Sequence, residues 1–473
     1  MKPGGSEVPH VYAAARLDRL PLASFHRRLL ALVSLGVFFD SFDTSLGGTV
    51  LSALLHSGWS TLELNAHFIS ATFIGISCGV FIAGVVGDRL GRRFSYQFNL
   101  LVFGLASFAA ALAPSMPWLI AIRFVMGLGL GAEFVVGYSL ITEFMPPHYR
   151  GRAVSVVAFF SLSAALVSAL LSFLIIPSFG WRWLFVIAGV GAVIAWYLRK
   201  DLPESPRWLE AAGRSEQAES VLRAIEAEVA RAHTLPPPAA SAPPASTAIS
   251  IGVLFSRPVV KRTLLAMLVN IVIGFGTYGF ITWLPTFFVK EGFGVSDALR
   301  MNTIIQFGAP LGPLLGIWLA DRIGRRNGII WGGVCAALLA LAFPFETRMG
   351  FIIANGLLLN TFVLGLLVLG VGSYTPELFP TEFRMRGNGV AQLAGRLTTI
   401  LSPYLVLALY QPHGVLGVAV AAAAMFLAMA LATALARVET RLKPLESIGA
   451  EAQGAPLAEA RYAAPRRGPE LTG

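Results

Sequence analysis

The sequence predicts an all-α integral membrane protein with twelve transmembrane helices, arranged as two pseudo-symmetric six-helix bundles. The 473-residue chain is 55% hydrophobic and only 13% charged, about half the charged fraction of a soluble domain. Twelve apolar segments are long enough to cross a bilayer, which takes about 20 residues. Two short motifs also recur at matching positions in the two halves of the chain.

The apolar segments fall into two groups of six. They cover residues 29–55, 66–86, 94–113, 117–141, 153–176 and 181–198, then 263–288, 299–320, 328–345, 349–372, 387–410 and 413–436. The predicted units are an N-terminal tail over 1–28, a first bundle over 29–198, a linker over 199–258, a second bundle over 259–437 and a C-terminal tail over 438–473.

The linker and the C-terminal tail are polar. The linker combines a helical stretch near Ser215 to Ala232 with a proline-rich run from Leu235 to Pro244. Proline and small residues at this density cannot build a core, so this run is expected to be semi-extended. The tail has low complexity and is expected to be disordered.

Basic residues lie unevenly in the loops. They are concentrated in the N-terminal tail and in the loops from even to odd segments, whereas the opposite loops hold only Arg182, Lys290, Arg300 and Arg348. Positively charged loops stay in the cytoplasm. We therefore expect both termini and the linker to be cytoplasmic, and the short loops favour a bacterial inner (plasma) membrane.

Several function classes are disfavoured. The net charge of +10 does not cluster on one soluble face, as nucleic-acid binding would require. Cys78 and Cys335 lie inside apolar runs, and the seven His residues are scattered, so no metal-ligand spacing is evident. No nucleophile elbow is present. We expect neither an enzyme nor a bound cofactor or metal.

The repeated motifs indicate duplicated halves. The loop from Asp88 to Arg93 recurs as the loop from Asp321 to Arg326, and the Glu143-Phe-Met-Pro motif recurs at Glu377. The two motifs are unrelated to each other, yet the offset between their copies is nearly the same. Parallel repeats of membrane helices imply a transport path between the halves, with one half rocking against the other.

The doubled Asp-Arg-x-Gly-Arg-Arg loop resembles the major facilitator superfamily, from about Arg28 to Arg437. The alternative is that the charges of this loop only set the orientation of the helices in the membrane. The resemblance extends to Pro203-Glu-Ser-Pro-Arg-Trp208 and implies a cytoplasmic gate of state-dependent salt bridges. Its expected members are Asp88, Arg89, Arg92, Glu143 and Arg150 in the first half and Asp321, Arg322, Arg325, Glu377 and Arg384 in the second.

Two carboxylates lie inside the first apolar segment. Counted from Arg28, Asp40 lies about 18 Å and Asp43 about 22 Å into a membrane core about 30 Å thick. At a spacing of three they share one helix face, so a single partner or cavity could serve both. Ionisable residues at this depth indicate a functional site, often a proton relay. The alternative is a pair of acids that only hold helices together through basic neighbours.

Arg123 in the fourth segment is the expected partner of Asp43. It lies about 9 Å below the outer surface and Asp43 about 8 Å, so the two can meet. Because a nearby guanidinium changes the proton affinity of a carboxylate, the pair could couple proton binding to transport. Proton-coupled sugar transporters resemble this sequence at both positions. Asp40 resembles an extra carboxylate of aromatic-acid symporters, and Glu133 is a third membrane acid that could be a second proton site. The expected proton-coupling residues are Asp40, Asp43, Arg123 and Glu133.

Arg396 in the eleventh segment is the expected substrate clamp. It lies about 14 Å from the cytoplasmic edge, and the planar guanidinium suits the two oxygens of a carboxylate. Alternatively, it pairs with an acid such as Glu133. Trp283-Leu-Pro-Thr and Arg396 both resemble aromatic-acid and niacin-type relatives. Further binding candidates, each of which could instead be packing contacts, are Tyr278, Trp283, Gln306, Asn360 and Gln392.

These features predict a proton-coupled symporter of a small organic acid, such as an aromatic or niacin-like carboxylate, with the major facilitator fold. The alternatives are a sugar, polyol or drug carrier of the same superfamily, or a membrane sensor that binds without transport. The expected partners are the organic anion, protons and the bilayer. We expect a monomer that binds no nucleic acid.

Overall fold

Helices account for nearly all of the described chain. The computed structural model describes residues 13–237, 251–257, 259–379, 384–436 and 438, without the side chains of residues 88, 134, 251, 320 and 321. The proline-rich run beyond residue 237 and the predicted disordered tail beyond residue 438 lie outside the described residues.

Six long helices form the first half, as the hydropathy pattern predicts. They are α2 (Ser24–His56), α3 (Leu62–Leu90), α4 (Arg92–Ala111), α5 (Met116–Phe144), α6 (Pro147–Phe179) and α7 (Arg182–Arg199). Three shorter helices lie on the terminus side of this half: α1 (Ala13–Asp18), α8 (Pro206–Ala211) and α9 (Ser215–Ala230). The helix predicted within the linker is thus present as α9.

The helices of the second half are more irregular. They are α10 (Val260–Gly274), α11 (Leu284–Lys290), α12 (Val295–Ile305), α13 (Gly308–Arg322), α14 (Arg325–Ala342), α15 (Met349–Leu366), α16 (Thr375–Glu377) and α17 (Arg384–Ala436). Two π-helical turns, Phe275–Phe280 and Leu367–Tyr374, continue α10 and α15 within the membrane-spanning segments. Such turns often mark functional sites because they disturb the regular hydrogen-bond ladder.

Ten helical segments in the described part are long and apolar enough to cross a membrane. The eighth predicted segment is missing from these because the helix breaks after Ile305 into α12 and α13, each too short alone. The last two predicted segments appear as one because α17 runs through a kink at Gly414, which has a φ of 61°. Counting both gives the expected twelve spans of an all-helical membrane fold.

The repeated loop motif has the same local structure in both halves. Gly91 ends α3 with a φ of 104°, and its counterpart Gly324 follows α13 with a φ of 88°. Only glycine adopts this region without strain. Each glycine is followed directly by the helix that begins at Arg92 or Arg325, so the motif makes the same sharp reversal twice.

Small residues bring neighbouring helices into backbone contact. A Cβ at Gly75 would lie 2.2 Å from the carbonyl oxygen of Phe124, and one at Gly131 would lie 2.0 Å from that of Ile76. In the second half, a Cβ at Gly316 would lie 2.6 Å from the carbonyl oxygen of Gly365. Close approach through small residues is a common mode of membrane helix association. It aligns α5 with α3 and α13 with α15.

The two halves contact each other near the helix ends that lie away from the termini. Ser70 donates a hydrogen bond to the carbonyl oxygen of Ile400 at 2.8 Å, and Thr303 donates one to Ala169 at 3.1 Å. On α2, a Cβ at Gly48 would lie 2.4 Å from the carbonyl oxygen of Thr282. The two halves are therefore joined by direct contacts on this side.

An ion-pair cluster joins α1 to α9 on the terminus side. Arg16 contacts Glu219 and donates a hydrogen bond to Glu226 at 2.6 Å, and Arg19 donates to Glu226 at 2.7 Å. The N-terminal tail is consequently attached to the linker by charge, in addition to the buried side chains of Ala13 and Leu17.

Candidate functional site

The predicted contact between Asp43 and Arg123 is present. Arg123 Nη1 lies 2.6 Å from Asp43 Oδ2, and the two side chains are 1% and 0% exposed. Arg123 Nε also donates to the hydroxyl of Thr72 at 3.2 Å. The ring of Phe68 lies 4.9 Å from the guanidinium carbon. A buried pair with these supports is charge-balanced without water.

Asp40 lies in a different environment, and Arg123, the partner of Asp43, makes no hydrogen bond to it. Both carboxyl oxygens of Asp40 are buried without a hydrogen-bond partner among the described residues. A spacing of three residues leaves about 60° between side chains on a helix. That rotation is enough to direct Asp43 to Arg123 and Asp40 to a second cluster.

The second cluster is a buried ion pair between Glu133 on α5 and Arg199 at the end of α7. Arg199 Nη1 lies 2.5 Å from Glu133 Oε1, and the two side chains are 0% and 2% exposed. Arg199 also donates from Nε and Nη2 to the carbonyl oxygen of Leu32, at 2.9 and 2.7 Å. The alternative pairing of Glu133 with Arg396 is therefore wrong.

Gly36 on α2 provides the space for this pair. A Cβ at residue 36 would lie 1.6 Å from Arg199 Nη2 and 2.3 Å from Glu133 Oε1. On its other side, the Arg199 guanidinium lies 4.1 Å from the ring centre of Tyr96. Asp40 follows Gly36 by one helical turn, and Arg199 and Glu133 are its closest charged neighbours outside α2.

Sequence reasoning missed Arg199. An arginine at the last position of an apolar segment is ordinarily an interfacial anchor that extends toward water. The only available signal was its position directly after the sixth apolar run. Because burial of this side chain depends on Gly36 and Glu133 in other helices, no local pattern predicts it.

In the second half, Arg396 lies close enough to Tyr278 for the two side chains to interact electrostatically. Arg396 is half-buried on α17, and the described residues give it neither an ion pair nor a hydrogen bond. Small residues place it there, since a Cβ at Gly274 would lie 3.1 Å from the carbonyl oxygen of Gly395. The ring of Tyr278 lies 4.5 Å from that of Phe73 in the first half.

The other binding candidates have different surroundings. Asn360 is buried and donates to the carbonyl oxygen of Ile305 at 3.0 Å and to the side-chain oxygen of Gln306 at 2.9 Å. The contacts of Asn360 with Ile305 and Gln306 therefore stabilise the break between α12 and α13. Trp283 is buried with its ring stacked 6.2 Å from that of Phe287. Its indole nitrogen has no partner in the described part, and Gln392 is exposed.

The charged gate candidates form the same pair in each half. Arg92 lies 3.3 Å from Glu143, and Arg325 lies 2.7 Å from Glu377. Glu143 and Glu377 thus each pair with an arginine of the repeated Asp-Arg-x-Gly-Arg-Arg loop. The arginines of their own motifs, Arg150 and Arg384, bind other groups. Arg150 contacts Asp18 at 3.3 Å, and Arg384 donates to the carbonyl oxygen of Phe379.

The remaining gate candidates are two arginines and two acids of the repeated loops. Arg89 and Arg322 lie on exposed surface, and the side chains of Asp88 and Asp321 lie outside the described part. Glu204 of the Pro-Glu-Ser-Pro-Arg-Trp motif accepts hydrogen bonds from the backbone N–H groups of Arg92 and Arg93, at 2.9 and 3.2 Å. It thereby caps the N-terminus of α4 with negative charge.

The described residues contain no group of three or more His, Cys, Asp and Glu side chains suited to a metal ion. The interior chemistry is instead that of buried acids and arginines, together with aromatic rings at the boundary between the halves. Such groups can exchange protons and bind anions.

A family model for "Sugar (and other) transporter" matches residues 33–452. The inner membrane metabolite transport protein YdjE of Escherichia coli is 34% identical over 443 residues, covering 92% of this chain and 97% of that protein. The niacin transporter NiaP of Acinetobacter baylyi is 34% identical over 441 residues, covering 92% and 99%. The 4-hydroxybenzoate transporter PcaK of Pseudomonas aeruginosa is 30% identical over 413 residues, covering 84% and 90%.

Among solved structures, a partially occluded inward-open form of the E. coli xylose transporter XylE superposes with a TM-score of 0.68. It covers 89% of this chain and 100% of that one at 20% identity, and a likeness at this identity shows the fold. The fold, the repeats and the family match agree, and the chain belongs to the sugar (and other) transporter family of the major facilitator superfamily, as a multi-pass membrane transporter of metabolites and not an enzyme.

Proposed function

We propose that this protein is a proton-coupled symporter that imports a small organic acid, such as an aromatic or niacin-like carboxylate, by alternating access. The observation that carries the substrate class is Arg396, a half-buried guanidinium without an ion-pair partner among the described residues. A buried cation is unfavourable until it is paired. An anionic substrate would supply the missing charge through a bidentate contact.

The position of Arg396 supports this role. Its neighbour Tyr278 lies on a π-helical turn and contacts Phe73 across the boundary between the halves. A carboxylate bound to Arg396 would thus be flanked by aromatic side chains, which suit an aromatic ring. The names of two relatives, the niacin transporter NiaP and the 4-hydroxybenzoate transporter PcaK, also describe carboxylic acids.

The coupling half of the proposal rests on Asp43 and Arg123. Their pair is fully buried, so a proton can reach Asp43 only when the pair opens. Asp40 and Glu133 are the further acids at membrane depth. The matched pairs Arg92–Glu143 and Arg325–Glu377 would form part of the inner gate, with both termini cytoplasmic in an inner membrane. In that orientation, the contacts between Ser70 and Ile400 close the outer side.

Uptake by purified protein in liposomes tests the coupling. With an inward proton gradient, we expect accumulation of nicotinate or a benzoate, which uncouplers abolish. The variant Asp43→Asn should lose accumulation but keep exchange of labelled for unlabelled substrate. Asp297→Asn is the matched control, because Asp297 is 52% exposed in a surface pair with Arg300. Full accumulation by Asp43→Asn would contradict the assignment.

The substrate class has its own test. We expect Arg396→Lys to weaken carboxylate binding, because an ammonium lacks the planar fork of the guanidinium. The exposed pair member Arg300 gives the control variant Arg300→Lys. Unchanged affinity of Arg396→Lys would exclude the clamp, and uptake of a hexose with failure of every carboxylate would show a sugar carrier. Binding without flux would show a sensor.

A further inference from the structure

The described part of the first half contains more buried carboxyl groups than buried guanidinium groups. The buried carboxyl groups are those of Asp40, Asp43 and Glu133, and the buried guanidinium groups are those of Arg123 and Arg199. Asp43 and Arg123 balance each other. One guanidinium then remains for two carboxyl groups. An uncompensated buried carboxylate is strongly unfavourable, so one of the two must carry a proton.

The geometry favours Glu133 over Asp40 as the ionised carboxyl group. Arg199 is held in place by two hydrogen bonds to the backbone carbonyl oxygen of Leu32, and this leaves Nη1 directed at Glu133. Glu133 therefore has the counter-charge that an ionised carboxylate needs. Both oxygens of Asp40 lack any partner among the described residues, as suits a neutral carboxyl group.

We propose that Asp40 and Glu133 form a second proton site, in which Asp40 holds the proton in this conformation and Arg199 is the positioning residue. This inference rests on the proposed proton coupling and specifies where a transported proton is held. The titratable groups that face Asp40 are Tyr96 from α4, Glu133 from α5, Arg199 from α7 and Asp43 from its own helix. The carbonyl oxygen of Leu32 orients Arg199 toward Glu133. Asp40 therefore receives no hydrogen bond from this cation and binds the proton.

Infrared spectroscopy of the full-length protein in lipid at neutral pH tests the protonation directly. We expect a carboxylic-acid C=O band that shifts in D₂O, is absent in Asp40→Asn and persists in Asp43→Asn. Asn resembles the neutral acid in shape, so Asp40→Asn should fold, and its melting temperature checks this. Loss of the band in Glu133→Gln but not in Asp40→Asn would overturn the assignment, as would absence of the band in the unaltered protein.

Arg199→Gln tests the positioning role. Without the guanidinium, Glu133 also loses its counter-charge, so we expect a second carboxylic-acid band, about doubling the integrated intensity. Arg199→Lys should restore the single band. A merely structural Arg199 would lower the melting temperature without changing the number of protonated groups, and that result would overturn the proposal. Arg300→Gln is the control, since this arginine is 52% exposed.

These results separate the inference from the proposed function. Coupled uptake combined with a band that survives in Asp40→Asn would reject only the second proton site. A band that behaves as expected in a protein without gradient-driven uptake would reject only the coupling.

Discussion

The substitution Gly36→Ala adds one methyl group where the structure has no room for it. The new Cβ would lie 1.6 Å from Arg199 Nη2 and 2.4 Å from its Cζ, whereas carbon makes favourable contacts at about 3.5–4.0 Å. The guanidinium cannot simply turn aside, because Leu32 holds two of its nitrogens. We therefore expect the pair between Arg199 and Glu133 to break.

The size of the effect follows from two opposing terms. Removing one member of a buried ion pair from its partner costs about 3–5 kcal/mol. Alanine in place of glycine within a helix returns about 1 kcal/mol. The expected net loss is about 2–4 kcal/mol in the free energy of unfolding. Since each 1.4 kcal/mol is a factor of ten, the unfolding equilibrium should shift by about 30- to 700-fold.

Unfolding by a denaturing detergent in mixed micelles measures this loss, and gradient-driven uptake should fall with it. Gly389→Ala is the matched control, because residue 389 lies in a helix and a Cβ there has no neighbour within 4 Å. It should be neutral or stabilising by up to about 1 kcal/mol. Equal stability of Gly36→Ala and the unaltered protein would refute the claim that Gly36 makes room for the pair.

Two further predictions concern other parts of the fold. Asn360→Leu should lower the free energy of unfolding by about 1–3 kcal/mol, because the carbonyl oxygen of Ile305 loses a buried hydrogen-bond donor. Thermal unfolding measures this loss, with the substitution of the exposed residue in Asn327→Leu as the control. Burial raises the pKa of Glu226, but hydrogen bonds from Arg16 and Arg19 more than offset this and lower it overall. The cluster should therefore stabilise the contact of α1 above the ordinary Glu pKa of about 4.3 and lose that contribution as the pH falls through the lowered value. Hydrogen exchange in α1 at pH 7 and in acid would show this, and equal protection at both would contradict it.

The bundle architecture was predictable because membrane spans are a local property of the sequence. Backbone groups in a bilayer must be hydrogen-bonded within the protein, which a helix achieves within a single segment, so the length of an apolar run locates each helix. The division between α12 and α13 was not predictable. Residues 299–320 form one apolar run, and the break at Gln306 is supported by Asn360 from another helix.

The candidate site was predictable to the extent that depth along a helix decides contact. Asp43 and Arg123 were expected to meet because each lies at a similar distance from the same surface, and they do. Direction around the helix axis was harder to predict. Asp40 is only three residues from Asp43, yet its surroundings come from α5 and α7, and the buried Arg199 that defines them lies at the end of its own apolar run.

The helix α2 connects these features. It carries Gly36, Asp40 and Asp43, so both acid clusters of the first half involve it. It also touches the second half where the carbonyl oxygen of Thr282 lies against Gly48. Since both members of each ion pair belong to the first half, a rigid rotation of that whole half would leave both pairs intact. Movement of α2 relative to α5 is needed to open the pair between Asp43 and Arg123, and the contact at Gly48 is where motion of the second half would act on α2.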